Sequence, residues 1–485
     1  MVKALPKSKS LTGMMYRILL FLSIVLMPAL ARANAIQVTN LTVDQASGTV
    51  TFDLSWQNSW RVTTVPFNWD AAWVFVKFRE CGVAPTTPWS HGVMSTTVGD
   101  HSFGSSLEPI LSDGSATGID AAPNNLGVML RQNTAGIYPN TGPHTITLRV
   151  NNLPPTGTDI DVKVFGIEMV FIPEETYNLG DGSSTYAFSP TSVSSEAALT
   201  VLGSVNLPAA YPKGYAAFHT MKYEVSHGQY AEFLNTVSSN AQVALYPSEN
   251  NYRHRLFNTG TPPQTYTTDR ENRSVNYVDW DHLAAYLDWA ALRPMTELEY
   301  EKICRGTGPV IVQEYAWGST SITNSTTIST TIPPEDGTEI IINTGANVNY
   351  SNTNHSGGDG GRGPLRNGIF ALPTTATRAA AGATFYGVLE MSGNVAEMVV
   401  PASNNASTYT GSLGDGAIDE TNGTHNQADW PAPGTWDTGA NNNRFQGYRG
   451  GSFNDNDDRL RVSDRYDCYR NSWTYDYERG GRGIR

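Results

Sequence analysis

The residues best suited to chemistry lie at the C-terminal end of the chain. Residues 448–485 read YRGGSFNDNDDRLRVSDRYDCYRNSWTYDYERGGRGIR, in which an Arg-Gly-Gly-Ser opening and an Arg-rich close enclose Asn, Asp, Tyr, Ser, Arg and Thr with almost nothing apolar. Flat aromatics beside short polar groups give contact area and adaptable hydrogen bonds at low entropic cost, which is the chemistry of recognition. Tyr466, Tyr469, Tyr475 and Tyr477 are the expected anchors, and Arg459, Arg465 and Arg470 the expected partners of carboxylate or phosphate groups. Asn454, Asp455, Asn456, Asp458, Asp464, Asp467, Asn471 and Asp476 are expected to set polar specificity.

Nucleophilic side chains are sparse by comparison. Cys81, Cys304 and Cys468 form an odd and widely separated set, so no disulfide framework holds the fold. Cys81 and Cys304 read as small buried apolar residues, and Cys468, among polar neighbours, as an exposed thiol.

Such a surface needs rigid elements beneath it. From residue 36 to about 165, apolar and polar residues alternate in five segments, IQVTNLTVD, GTVTFDLSW, AAWVFVKF, HTITLRV and DIDVKVFGI, separated by Gly, Pro, Asn and Ser clusters. Several strands without helices predict a β-sandwich, with Trp73, Phe75 and Lys77 on one face of their strand and Val74, Val76 and Phe78 on the other. Trp56, Trp60, Trp69, Trp73 and Trp89 read as core aromatics in preference to a sugar-stacking site. Further on, Ser226 with Gln229 and Thr296 with Glu299 have the spacing of capping boxes, and Leu283, Tyr286, Leu287 and Ala290 repeat at helical spacing. Residues 318–367 are rich in Thr, Ser, Asn and Gly and too long for a bare loop, so something must tie them down, a bound ion being one candidate.

The chain has 485 residues, which suggests two or three domains at roughly 150 residues each. Charged residues are only 16%, while 45 Gly and 27 Pro favour strands and ordered loops over helical bundles. A net charge of -13 argues against a nucleic-acid or anionic-membrane partner. Lys3, Lys7, Lys9 and Arg17 precede an apolar run at 18–27 and small-residue cleavage options at Ala33 and Ala35, so residues 1–35 read as a secretory signal and the mature protein is expected to be secreted or on the cell surface. No later segment is apolar enough to span a membrane.

From about residue 166 onward the sequence resembles the formylglycine-generating enzyme (sulfatase-modifying factor) family. The matching pieces are MVFIPEETYNLGDG from Met169, MKYEVSHGQYAEFLN from Met221, VNYVDWDHLAAYLDWA from Val275, LRPMTELEYEKICRG from Leu292, YAWGS from Tyr315, GVLEMSGNVAEM from Gly387 and YRGGSF from Tyr448. The resemblance implies a C-type-lectin-like domain over 166–485: a small twisted antiparallel sheet, flanking helices and much irregular ordered backbone. The expected fold is therefore α+β, an N-terminal β-sandwich over 36–165 followed by that domain. Fold does not carry activity with it. The family's copper-dependent oxidases use a pair of cysteines shortly after the Gly-Gly-Ser, where this chain has Asn454, Asp455, Asn456, Asp457, Asp458 and Arg459. A lone Cys468 cannot supply the paired thiolates that Cu(I) prefers. The family's nonheme-iron sulfoxide synthases draw ligands from a separate helical domain, whereas residues before 166 read as strands and the nine histidines offer no pair on one helix. No copper or iron cofactor and no catalytic residue is expected.

The tail also resembles the variable segments that diversity-generating retroelements rewrite at Asn codons. Changing the first two bases of AAC or AAT never yields Lys, Gln, Glu, Met or Trp. Residues 454–479 contain no Lys, Gln or Met, and only Trp473 and Glu478 lie outside the reachable set. Leu460 and Val462 read as frame residues facing the core. Finally, residues 390–397 resemble the family's structural-calcium element, implying Glu390, Glu397 and the carbonyls of Gly393 and Val395 as ligands, with Glu397 in a buried pair with an Arg as the other reading. Asn349 resembles a ligand of a second calcium site, where Gly368 replaces the Asp of some relatives. The expectation is a non-catalytic protein that binds a protein or glycan on another cell surface through residues 449–485. The alternative is a sulfatase-modifying or nonheme-iron oxidoreductase with relocated metal ligands.

Overall fold

The computed structural model describes residues 36–485 apart from 83, 85–86, 185, 261–263, 330–334, 336, 373–374, 376, 435–440 and 470–475. The expected secretory signal at 1–35 lies outside the described residues. The rest is mostly strand and irregular backbone with few, short helices, an α+β arrangement.

Alternation in the sequence becomes alternation in burial. Along Thr49–Arg61, Val50, Phe52, Leu54 and Trp56 are buried while Thr51 and Asp53 are not. This strand pairs antiparallel with Gln37–Asp44 on one side and Gly136–Arg149 on the other. The three-stranded sheet lays its apolar face against Ala72, Val74, Val76, Val128 and Leu130 of a second, larger sheet. That sheet has eight strands, seven of them in the order Arg293–Pro294, Gly483–Ile484, Phe218–Met221, Ile160–Ile172, Asp70–Glu80, Val128–Gln132 and Leu107–Ile110, with Ser90–His91 paired to Asp70–Glu80. As expected from the two-residue period, Trp73 and Phe75 face the opposite side from Val74 and Val76. There they meet the helix Trp280–Trp289 and its C-terminal turn, where the Trp73 indole donates to the Ala290 carbonyl at 2.9 Å.

The boundary expected at 165/166 falls inside one strand. Ile160–Ile172 pairs with Asp70–Glu80 along its length, and its last residues pair on the other edge with Phe218–Met221. The chain end is drawn into the same sheet: Arg485 exchanges backbone hydrogen bonds with His219, lies over the Trp73 ring and donates to Asp120. Residues before and after 166 thus share this sheet and the core on its Trp73 face, while the core on its Val74 face is built from residues before 166.

Both capping boxes form, at Ser226/Gln229 ahead of His227–Leu234 and at Thr296/Glu299 ahead of Glu297–Arg305. A helix at Ser239–Leu245, capped by Ser238, was not legible as a separate period. Within residues 318–367 the tie is ionic and internal to the protein: Glu335 accepts from Arg253 and Arg273, Asp359 from Arg270 and Arg273, and Glu339 from Arg366. Trp56, Trp69 and Trp73 are in the core, whereas Trp60 and Trp89 are half-buried. Two cysteine expectations are reversed. Cys81 follows the end of its strand and is exposed, and Cys468 is buried against Gly447, its thiol directed to the Tyr448 carbonyl.

Candidate functional site

The tail is held by arginines that its composition alone would have placed on the surface. Every residue of the helix Glu297–Arg305 is buried, and its charges face inward. Arg449 and Arg465 reach Glu297, Arg449 also reaches Glu301 at 2.7 Å, and Arg305 bridges Glu301 and Glu314. Arg482 makes a two-pronged pair with Glu397 at 2.6 and 2.7 Å. Charges this deep are tolerated only when paired and hydrogen-bonded. Gly450 (φ 85°) turns the backbone here, since a Cβ would sit 2.8 Å from the Met391 carbonyl oxygen.

This framework corrects two expected contact residues. Arg465 is 2% exposed, clamped by both Glu297 oxygens and lying over the Phe188 ring, so it faces the core and no partner. Asp464 is 4% exposed, accepting from the Tyr466 backbone N–H. Burial, with repulsion from Asp467, pushes its carboxyl up to about 7. Leu460 and Val462 are buried, as frame residues should be.

The remaining described residues lie at or near the surface. Asn456 is exposed, and Asn454, Asp455, Asp458, Arg459, Tyr466, Asp467, Tyr469 and Tyr477 are half-buried. Asp455 accepts from the Ser452 N–H and hydroxyl at 2.8 and 2.9 Å, closing a tight turn, and Asn454 donates to Glu478 at 2.6 Å. Burial, then repulsion by Asp467, raises Asp455 to about 6, and burial, then Asp455, raises Glu478 to about 8. Arg459 lies over the Tyr466 ring at 3.3 Å. Tyr469 stacks on Tyr186 at 4.3 Å and Tyr477 on Tyr252 at 3.8 Å. Neither Tyr186 nor Tyr252 carries a sequence signal for this role, because both come from loops distant in the chain. Arg470, Asn471 and Tyr475 lie outside the described residues, as does the side chain of Asp476.

The two elements expected to hold separate calcium ions meet each other. The Asn349 side-chain amide donates to Asn394 at 3.2 Å, and the Asn394 backbone N–H donates to the Asn349 carbonyl. Beside them Glu224 accepts from Ser274, Asn394 and the Val395 N–H, a carboxylate with no motif to announce it. Glu390 accepts from the Gly368 N–H at 2.6 Å. Within the expected donor set both Glu397 oxygens are taken by Arg482, which is the other reading of that residue, whereas among the described residues the buried Asn349 Oδ1 and Glu390 Oε2 have no hydrogen-bond partner. Among the described residues, no group of three or more His, Cys, Asp or Glu side chains is arranged to hold a metal ion. Burial, then the Glu397 and Glu390 charges, holds the Glu224 carboxyl well above the usual carboxylate range.

The thiols are equally constrained. Burial holds both Cys304 and Cys468 well above the usual thiol range, the opposite of the lowered value of an activated nucleophile. Among the described residues no helix is long and apolar enough to cross a membrane.

The sequence over residues 167–477 matches the family model for the sulfatase-modifying factor enzyme 1-like domain. No curated protein matches the chain.

Proposed function

Because the chain belongs to the sulfatase-modifying factor enzyme 1-like family, we propose that it keeps the family's scaffold and uses it for binding, without catalysis. One observation carries this reading. Arg449, Arg465 and Arg482 are buried on carboxylates of the scaffold, and most of the described polar and aromatic residues between them lie at or near the surface. A surface held in this way does not have to be ordered when a ligand arrives, so little affinity is lost to entropy. The contact residues are Asn454, Asn456, Asp458, Arg459, Tyr466, Asp467, Tyr469 and Tyr477, together with Arg470, Asn471, Tyr475 and Asp476. The ligand is a protein or glycan on another cell surface, and the protein reaches it by export through its N-terminal signal. The tail is a segment diversified at its Asn codons, and the three-stranded sheet packed on the larger sheet acts with it as a sandwich bracing the tail.

That the tail carries Cys468 without a second cysteine beside it speaks against the oxidase alternative. The test is a quadruple variant, N456A/R459A/Y466A/Y469A, screened beside the parent on arrays of glycans and of cell-surface proteins. Parent signals that vanish in a variant with an unchanged melting profile support the proposal. Signals indifferent to those residues, or conversion of a sulfatase peptide's cysteine to formylglycine by the purified chain, overturn it. The flanking DNA is expected to contain a reverse transcriptase and an adenine-rich near-copy of the tail's coding sequence.

A further inference from the structure

A cleft beside the tail gathers a charge opposite to that of the whole chain. It encloses about 780 Å³, within the roughly 300–1,000 Å³ usual for small-molecule sites, and Arg253, Arg255, Arg270, Arg273 and Arg362 line it with Tyr252. Five guanidiniums in one cleft stand out in a chain of net charge -13.

Their partners do not balance them. Glu335 is shared by Arg253 and Arg273, Asp359 by Arg270 and Arg273, and Asp269 faces Arg255 and Arg270. Arg362 donates to Asn352 and, at 2.9 Å, to the Tyr252 hydroxyl, both neutral groups. Among the described residues, three carboxylates pair with these five guanidiniums, leaving two positive charges over. Arg273, with its side chain 2% exposed, has an Nε–H with no acceptor among the described residues. Burial, then the neighbouring Arg273 charge, pushes the Arg253 guanidinium down to about 10, whereas hydrogen bonds to Asp269 and Asp359 hold Arg255 and Arg270 up. The backbone is shaped for the cleft as well. Gly363, at φ 145°, lets the Tyr252 carbonyl approach to where a Cβ would lie 2.1 Å away, which seats the glycine-rich loop on the 252–253 segment.

We propose that this cleft binds the oxyanion group, carboxylate or phosphate, of a small ligand. Arg255, paired through its Nε and one Nη with Asp269, and Arg362, which donates to the neutral Asn352 and Tyr252, stand nearer solvent than the buried Arg253, Arg270 and Arg273, so theirs are the guanidiniums an entering anion meets first. The site stands apart from the tail's polar residues, touching them through the Tyr252–Tyr477 stack, so it holds or fails separately from the recognition surface.

The test is calorimetric titration of the intact chain with inorganic phosphate and with glucuronate, glucose serving as the neutral control, at low and high salt. Saturable binding of either anion, weakening with salt and reduced at least about tenfold in R255A/R362A, is expected, since the variant withdraws two of the cleft's cations. The substituted residues are the more exposed ones, and an unchanged melting profile confirms that the variant is folded. Binding of phosphate alone assigns a phosphate ligand, and binding of glucuronate alone a carboxylate ligand. Failure of both anions to saturate, equal binding of glucose, or undiminished binding by the double variant overturns the proposal.

Discussion

Arg465 and Arg459 belong to the same short stretch of tail and have the same side chain, yet one is framework and the other is surface. Arg465 meets Glu297 of a fully buried helix and is enclosed, whereas the Arg459 guanidinium, among the described residues, meets the ring of Tyr466 and, at 3.7 Å, Asp464, with 21% of its side chain exposed. What separates them is the element opposite, a capped helix whose glutamates point inward in one case and a tyrosine at the surface in the other. The difference teaches that the tail's composition describes two populations. Arg449, Arg465, Arg482 and Arg485 fasten it, and the residues between them are carried.

The largest effect is expected at the fastening furthest from water. Arg482 is the cation paired with Glu397, with Glu224 and Glu390 close enough to feel its charge. Replacing it as R482M leaves Glu397 buried and unpaired, and breaking such a pair costs about 3–5 kcal/mol. Urea denaturation should show that loss, and adding E397Q should return part of it, as a double-mutant cycle between contacting residues predicts. An R482M protein as stable as its parent would remove Arg482 from the framework.

Next comes Arg465. R465A leaves Glu297 with Arg449 as a remaining partner, so the expected cost is smaller, about 1.5–3 kcal/mol for the lost hydrogen bonds to a charged group, again read from denaturant unfolding.

Much of the scaffold was legible because local signals agree with its tertiary use. Strand alternation at Val50, Phe52 and Leu54 and the capping boxes at Ser226 and Thr296 are decided within a few residues, and they form where expected. Less legible was everything decided across the chain. The same alternation does not say which strand is the neighbour, so the boundary at 165/166 was drawn through a strand that pairs on both edges. Polar neighbours in sequence made Cys468 look exposed, although Gly447 and Tyr448 cover it in space. Glu397 sits in a motif suited to a cation, but the group that reaches it is Arg482, far along the chain. The stacks of Tyr469 on Tyr186 and Tyr477 on Tyr252 have no local signature at all.

A pH series sharpens the contrast from the acidic side. Asp464 is raised by burial from 3.8 to about 7, so the folded state holds its proton more tightly than the unfolded chain does. Its contribution is therefore fully present below about 3.8 and is lost as pH climbs to about 7. D464N removes that titration while keeping an acceptor for the Tyr466 N–H. Its melting temperature relative to the parent should rise between pH 4 and 7 and level off above, whereas N456A, at an exposed position, should show no such trend. A flat difference across the range would mean that Asp464 is as well solvated as Asn456.

The smallest effect is expected at Arg459, and it tests the comparison most directly. In the free protein R459A forfeits the contact with the Tyr466 ring, about 0.5–1 kcal/mol at a site of this exposure, and the stacked ring of Tyr469 on Tyr186 is left in place. It also withdraws a positive charge that holds the Asp464 carboxyl down, so the loss should be somewhat greater at pH 8 than at pH 5, and the pH dependence should vanish in an R459A/D464N background. Denaturant unfolding of R459A and R465A side by side at both pH values measures this. If Arg459 proves as costly to remove as Arg465, both are fastenings and the tail has no carried population. If R459A stays within about 1 kcal/mol while array binding falls, its guanidinium serves recognition more than stability.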